Sequence, residues 1–269
     1  MEIQWSLVLF SALAGAGGWM LAGLAYDELK DKNAKTRFNA GVVAIIVLIV
    51  GGIASVTHLS HPGRVMGALS HPTSDIFYEA LLVGLAVICA FVYVVLLKRN
   101  ASAKGRKVFI CLAALIGIVL SFVSGLGYAV IDARYSWHTP LLPLGYLSTS
   151  IPTGLAAYLV VVLAGKDENQ SVGHLYRGVM VGGIIAAIVA ALYAIVSGTA
   201  TDLPLVIWGL VVVVGGIVPA CIGGLLAKKP EGAFGKSVCA LVCALVGSVA
   251  FRCFMWATST VVANLFLQL

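Results

Sequence analysis

Eight times along this chain the sequence stays apolar for about twenty residues or longer, and that repetition limits the fold more than any single motif. The runs lie at about 4–26, 39–58, 76–97, 108–130, 141–164, 175–197, 203–227 and 237–265. A helix needs about 20 residues to cross a hydrocarbon core of about 30 Å. The spacing therefore predicts an all-α fold, a polytopic transmembrane bundle of eight helices, with residues 1–269 forming one integral membrane domain. Composition agrees: 61 % of the residues are hydrophobic and 10 % are charged, against roughly 25 % charged in soluble domains. A water-soluble fold of this composition would be coated in apolar surface and would aggregate. The first run does not read as a cleavable signal peptide, since Met-Glu-Ile-Gln precedes it and no basic residue occurs before Lys30.

Lysines and arginines set the expected orientation. Fourteen of the seventeen fall in or beside alternate connections: Lys30 to Arg37, Lys98 to Lys107, Lys166 with Arg177, and Lys228 to Lys236. The other connections hold only Arg64 and Arg134, and Arg252 lies within the last run. Both termini, together with 59–75, 131–140 and 198–202, are thus expected on the outer side. The net charge of +6 reflects this topology and not affinity for nucleic acid.

The second run ends in SVTHLSHPGR, residues 55–64, which gathers His58, His61, Pro62 and Arg64 within ten positions. Pro62 helps to stop the helix, because it has no N–H for the backbone ladder. Across the loop, Ser74 or Asp75 is a candidate N-cap for the third helix, and Glu79 follows about one turn inside it. His58 and Glu79 are then expected at similar shallow depth on neighbouring helices. Together they could accept two protons and pass them to outside water. Each also has a plainer role, His58 as a cation at a helix C-terminus and Glu79 as a carboxylate in a first turn, both favoured by the helix dipole. Arg64 reads as an interface or positioning residue. A metal site at His58 and His61 lacks a third ligand nearby.

The connection between the fourth and fifth runs carries Asp132, Arg134, Trp137, His138, Pro140 and Pro143. Its aromatic residues fit an interfacial belt, and Asp132 and Arg134 could pair with each other or with a docked partner. Arg252 stands too deep for easy snorkelling. A buried ion pair, with Asp132 as one candidate, or hydrogen bonds to carbonyl groups would meet its cost in lipid. The six cysteines all lie in apolar runs and form no Cys-x-x-Cys pair, which leaves packing as their use. Clustered glycines, as in Gly15-Ala16-Gly17-Gly18 and Gly215-Gly216, predict close helix crossings.

The T-H-L-x-x-P-x-R pattern at His58, Leu59, Pro62 and Arg64, with Glu79 opening the next helix, resembles the membrane anchor subunit of the dimethyl sulfoxide reductase type. Trp137-His138-Thr139-Pro140 with Pro143 is similar to that family's W-x-T-P-x-x-P segment. Arg252 with Phe254-Met255-Trp256 is similar to its closing R-x-x-F-Y signature. The sequence departs from the family's pattern at Gly15 and at Ser248, where the family often carries glutamine and an acidic residue.

The resemblance implies a three-subunit enzyme of anaerobic respiration in the bacterial cytoplasmic membrane. A molybdopterin catalytic subunit would reduce a terminal acceptor, and a ferredoxin-like iron–sulfur subunit with four [4Fe–4S] clusters would carry electrons to it. This chain would anchor both and oxidise menaquinol, with His58 and Glu79 taking the protons and Arg64 helping to bind the quinol. It also implies no haem and no metal in this chain. The residues agree, since a bis-histidine haem needs two facing histidines at membrane depth and only His58 is near it. Two other readings stay open: a secondary transporter, which usually buries charged or unwound sites near the midplane, and a purely structural anchor without a quinol site. An enzyme complete in itself is not expected, because no nucleophile, metal set or nucleotide motif is visible.

Overall fold

The computed structural model of the chain describes residues 3–57, 74–131, 133–167 and 170–259. Eight helices in it are long and apolar enough to cross a membrane. They are α1 (Trp5–Leu29), α2 (Arg37–Val56), α3 (Asp75–Lys98), α4 (Ala103–Ala129), α5 (Leu141–Ala164), α6 (Gly173–Val196), α7 (Leu205–Lys228) and α8 (Ala233–Ala257). The protein is a multi-pass, all-helical bundle. Backbone groups in lipid must be satisfied within their own segment, which favours helices throughout.

Several boundaries differ from the expected spans, and each difference has a local cause. Helix α1 runs three residues past position 26, which draws Asp27 and Glu28 into its last turn. Helix α4 starts five residues early, because the Ser102 hydroxyl accepts from the Gly105 N–H at 3.4 Å and caps it. Arg106 is thereby placed in its first turn. Ser74, of the two candidates, caps α3 by accepting from the Phe77 N–H at 3.2 Å. Helix α8 begins at Ala233 and stops at Ala257, short of the expected 265. There Thr258 turns both its N–H and its hydroxyl back to the Phe254 carbonyl, at 2.9 and 2.8 Å. Along α7, residues Leu205–Ile217 wind as a π-helix and Val218–Lys228 as an α-helix. Pro219 stands in the first turn after that change, where its missing N–H is least costly.

Helices α1 and α5 form the centre of the bundle. Helix α1 packs on α2, α4 and α5, and α5 on α6 and α8, while α3 closes on α2 and α4, and α7 on α6 and α8. The outer helices turn apolar ridges away from the core, such as Leu81, Leu85, Ile88 and Phe91 on α3 and Ile184, Ile188 and Ile195 on α6. The glycine pairs mark the tightest crossings. Gly18 of α1 lies against the Gly117 backbone of α4, and Gly215 of α7 against Gly247 of α8, so that a Cβ at any of them would meet backbone. Close backbone approach replaces the hydrophobic drive that helices lack in lipid.

Candidate functional site

The bundle has a polar cluster towards each end. The one at the lysine- and arginine-rich end is built on Asp27 and Glu28, both fully buried in the last turn of α1. Glu28 accepts from Arg37 of α2, from Arg106 of α4 and from the Tyr93 hydroxyl of α3, each at 3.0 Å. Arg37 also donates to the carbonyls of Asp27 and Lys32, at 3.0 and 2.7 Å, and reaches the exposed Asp31. Asp27 Oδ2 accepts from Tyr158 of α5 and from Asn33, both at 2.6 Å. Its other oxygen, Oδ1, lies 2.8 Å from His174 Nε2 on α6. That contact is close in distance but off the hydrogen-bonding direction, so neither atom has a hydrogen-bond partner. Asn33 completes the cluster by exchanging bonds with the Ser171 backbone, at 2.9 and 3.1 Å. Six helices thus meet on two adjacent carboxylates.

At the opposite end the cluster surrounds Arg252, which is completely buried. Its Nε donates to the Ser11 hydroxyl at 2.8 Å, and its other nitrogens reach the Ser11 and Ser248 carbonyls at 3.1 and 2.9 Å. The hydroxyls of Ser248, Thr149 and Ser150 lie at 2.7, 3.3 and 3.4 Å. The Tyr146 ring underlies the guanidinium, 4.5 Å from its centroid. All these bonds of Arg252 go to hydroxyls and carbonyls, and none to a carboxylate. Ser248 supplies both its hydroxyl and its carbonyl, one turn before the arginine. Two of these hydroxyls, of Thr149 and Ser150, come from a Ser-Thr-Ser-x-Pro-Thr stretch on α5, whose side chains bond back to preceding carbonyls.

Glu79 sits in the second turn of α3, half-buried. It shares the inward face of that helix with Ala86, Ala90 and Tyr93, which follow at helical spacing. The Tyr146 phenol lies within electrostatic range of its carboxylate. Glu79 therefore belongs to the Arg252 end of the bundle. Helix α2 reaches Val56, with Thr57 at its cap, on the same end. His58, Arg64 and Asp132 lie outside the described residues. Arg134 donates to the Ser259 hydroxyl at 2.7 Å and stacks over Trp137 at 4.6 Å. Trp137 is not the interfacial anchor expected from the sequence. It is buried, donates its indole N–H to the Met255 carbonyl at 2.7 Å, and packs on Tyr128 and Trp256. The loop after α4 is in this way fastened to the end of α8.

Sequence reasoning misses Asp27 and Glu28. By sequence they fall in a connection, although an acidic pair set flush against an apolar run, with Tyr93 and Tyr158 near the same end of their own spans, is a usable signal.

The sequence has a match among known families. The family described as DMSO reductase anchor subunit (DmsC) matches residues 1–266. The chain belongs to this family. The C subunit of the anaerobic dimethyl sulfoxide reductase of Haemophilus influenzae is 25 % identical over 191 residues, covering 68 % of this protein and 67 % of that one. The protein of the same description from Escherichia coli K12 is 23 % identical over 203 residues, covering 72 % and 69 %. In this DmsC-family anchor the residues that carry the resemblance near Arg252 form the buried end of α8, where Phe254, Met255 and Trp256 pack against Trp137 and Tyr193.

Proposed function

We propose that this DmsC-family protein anchors a molybdopterin and iron–sulfur reductase in the bacterial cytoplasmic membrane and oxidises menaquinol at the end of the bundle that carries Glu79. The basic end faces the cytoplasm and the Arg252 end faces outward. The observation that carries this reading is the placement of Glu79, a half-buried carboxylate on the inward face of α3, within electrostatic range of Tyr146 and at the end where α2 leads into His58 and Arg64. A carboxylate held at membrane depth is costly and is seldom kept without a use.

Menaquinol gives up two protons and two electrons. His58 accepts one proton and Glu79 the other, and both pass to outside water. Neutral imidazole has a suitable basicity for the first transfer. Arg64 orients the quinol. The electrons leave one at a time to the nearest cluster of a four-cluster iron–sulfur subunit docked on the outer face, and from there reach the molybdopterin subunit. If the terminal acceptor also takes up its protons outside, turnover moves no net charge across the membrane.

The test uses the intact complex, purified through a tag on the N-terminus. A menaquinol analogue is added and cluster reduction is followed by EPR. Clusters reduced in the wild type, and neither in His58→Ala nor in Glu79→Gln complexes of unchanged subunit content, are the expected result. Equal reduction in all three would reduce the protein to a structural anchor at this end.

A further inference from the structure

A groove of about 300 Å³ opens between α1, α5 and α6 at the basic end, away from Glu79. Its floor follows one face of α1 through Trp19, Ala22, Gly23 and Tyr26, with Leu155 on the α5 side. Its mouth is polar. His174 and Arg177 line it from the first turns of α6, and the Lys32 ammonium stands 5.5 Å over the Tyr26 ring.

Three features mark the groove as unfinished. Among the described residues, the buried Trp19 indole N–H has no acceptor and the buried His174 Nδ1 has no partner. Buried polar atoms are nearly always satisfied, by protein or by something else. Arg177 is exposed at the mouth and makes no ion pair among the described residues, whereas the more buried arginines of this end, Arg37 and Arg106, are each held by Glu28. Asp27 Oδ1 stands 2.8 Å behind the imidazole, and Tyr26 stacks on the ring at 4.6 Å. The ring is held by this stacking, and neither of its nitrogens has a hydrogen-bond partner among the described residues.

We propose that this groove binds one anionic phospholipid, its phosphate between Arg177, Lys32 and His174 and one acyl tail along the α1 face. The order of groups along the groove carries the inference. Cations stand at the mouth, a lone N–H donor lies deeper at Trp19, and apolar surface forms the floor. A phospholipid presents the same order from headgroup inward: a phosphate, then ester carbonyls that accept hydrogen bonds, then hydrocarbon. Basic pockets between transmembrane helices near a membrane surface recognise such headgroups, and guanidinium matches phosphate oxygens in geometry as well as charge. With the phosphate seated, the imidazole lies between two anions, Asp27 behind it and the lipid in front.

The experiment uses the purified complex in mixed micelles with phosphatidylglycerol brominated on its acyl tails, which quenches nearby tryptophan fluorescence. Brominated phosphatidylcholine is the zwitterionic control. Saturable quenching by the phosphatidylglycerol, at least five-fold tighter than by the phosphatidylcholine and abolished in Trp19→Phe, is expected. Arg177→Gln, on an exposed side chain, and Lys32→Gln, on a half-buried one, leave the side-chain bonds of the Asp27–Glu28 cluster intact and should each weaken it several-fold. Equal affinity for the two lipids, or no change in both charge variants, would overturn the proposal. Competition by inorganic phosphate without any dependence on the lipid would assign a free-anion site instead. Displacement of the lipid by a menaquinone analogue at lower concentration would assign the groove to a quinone.

Discussion

Glu28→Gln is the sharpest probe of what holds the basic end together. Glutamine keeps the size of the side chain and removes its charge. In the native protein the carboxylate serves two guanidinium groups and a phenol, each at 3.0 Å. Arg37 loses most by the change, since its side chain is only 3 % exposed. It keeps the carbonyls of Asp27 and Lys32, but its remaining carboxylate, Asp31, is 87 % exposed and screened by water. Removing one partner of a buried pair costs about 3–5 kcal/mol, because the other charge is left uncompensated. Arg106, at 20 % exposure, relaxes towards water and adds little. The low end of that range, about 3 kcal/mol, is therefore expected. Tyr93→Phe removes one hydrogen bond to the same carboxylate and should cost about 1 kcal/mol. Lys35→Ala breaks a pair whose lysine is 74 % exposed, and such pairs contribute about 0–1 kcal/mol. The assay is the temperature at which the purified protein in detergent loses its monodisperse peak on size exclusion. The expected order of loss is Glu28→Gln, then Tyr93→Phe, then Lys35→Ala. If Glu28→Gln melted with the wild type, the cluster would be a solvated loop and this account of it would fail.

Three further outcomes are expected in the same assay. Arg252→Lys keeps the charge but not the planar fork that reaches Ser11, Thr149, Ser150 and Ser248, and should lower stability by about 2–4 kcal/mol; an unchanged melting temperature would show that charge alone suffices. Gly247→Ala drives a methyl into the Gly215 backbone and should cost about 1–3 kcal/mol, whereas Gly209→Ala, on the same π-segment as Gly215 but facing open space, should be close to neutral. Ser74→Ala removes the cap of α3 and about 1 kcal/mol, with faster amide exchange in the first turn of that helix as the local signature.

The eight spans were legible because lipid imposes one strong rule, a length of apolar helix, and the sequence states it eight times. The glycine pairs were legible for a related reason, since close crossings need a missing side chain and Gly18 and Gly215 supply it. Arg252 was legible as a buried cation from its depth in the last run, although its shell of serine and threonine hydroxyls was not, because those groups come from three separate helices. Asp27 and Glu28 escaped for a different reason. An Asp-Glu pair followed by lysines reads locally as a solvated connection. What buries it is Arg37, Arg106, Tyr93, Tyr158 and His174, each on a different helix, and no local pattern reports that convergence. Trp137 escaped likewise, because a tryptophan beside a helix end reads as an interfacial anchor until Met255 is known to take its N–H.

The two polar clusters explain how an anchor without a large hydrophobic drive between its helices keeps one shape. Helix α1 is common to both. Ser11 near its start receives Arg252 of α8, and Asp27 and Glu28 at its end receive groups from α2 to α6. Between them, Gly15, Gly17 and Gly18 let α5, α2 and α4 approach to contact distance. A cluster of hydrogen bonds has directions that apolar packing lacks, so each end fixes the rotation of the helices that enter it. Helix α3 shows the consequence. Tyr93, held by Glu28 at the basic end, sets the rotation of that helix about its axis, and Glu79 lies on the same face fourteen residues earlier. The orientation of the candidate quinol carboxylate is in this way decided partly at the far end of the bundle. Tyr93→Phe should therefore disturb quinol-driven cluster reduction as well as stability, and an unaltered reduction rate in that variant would confine the role of the basic end to holding the fold.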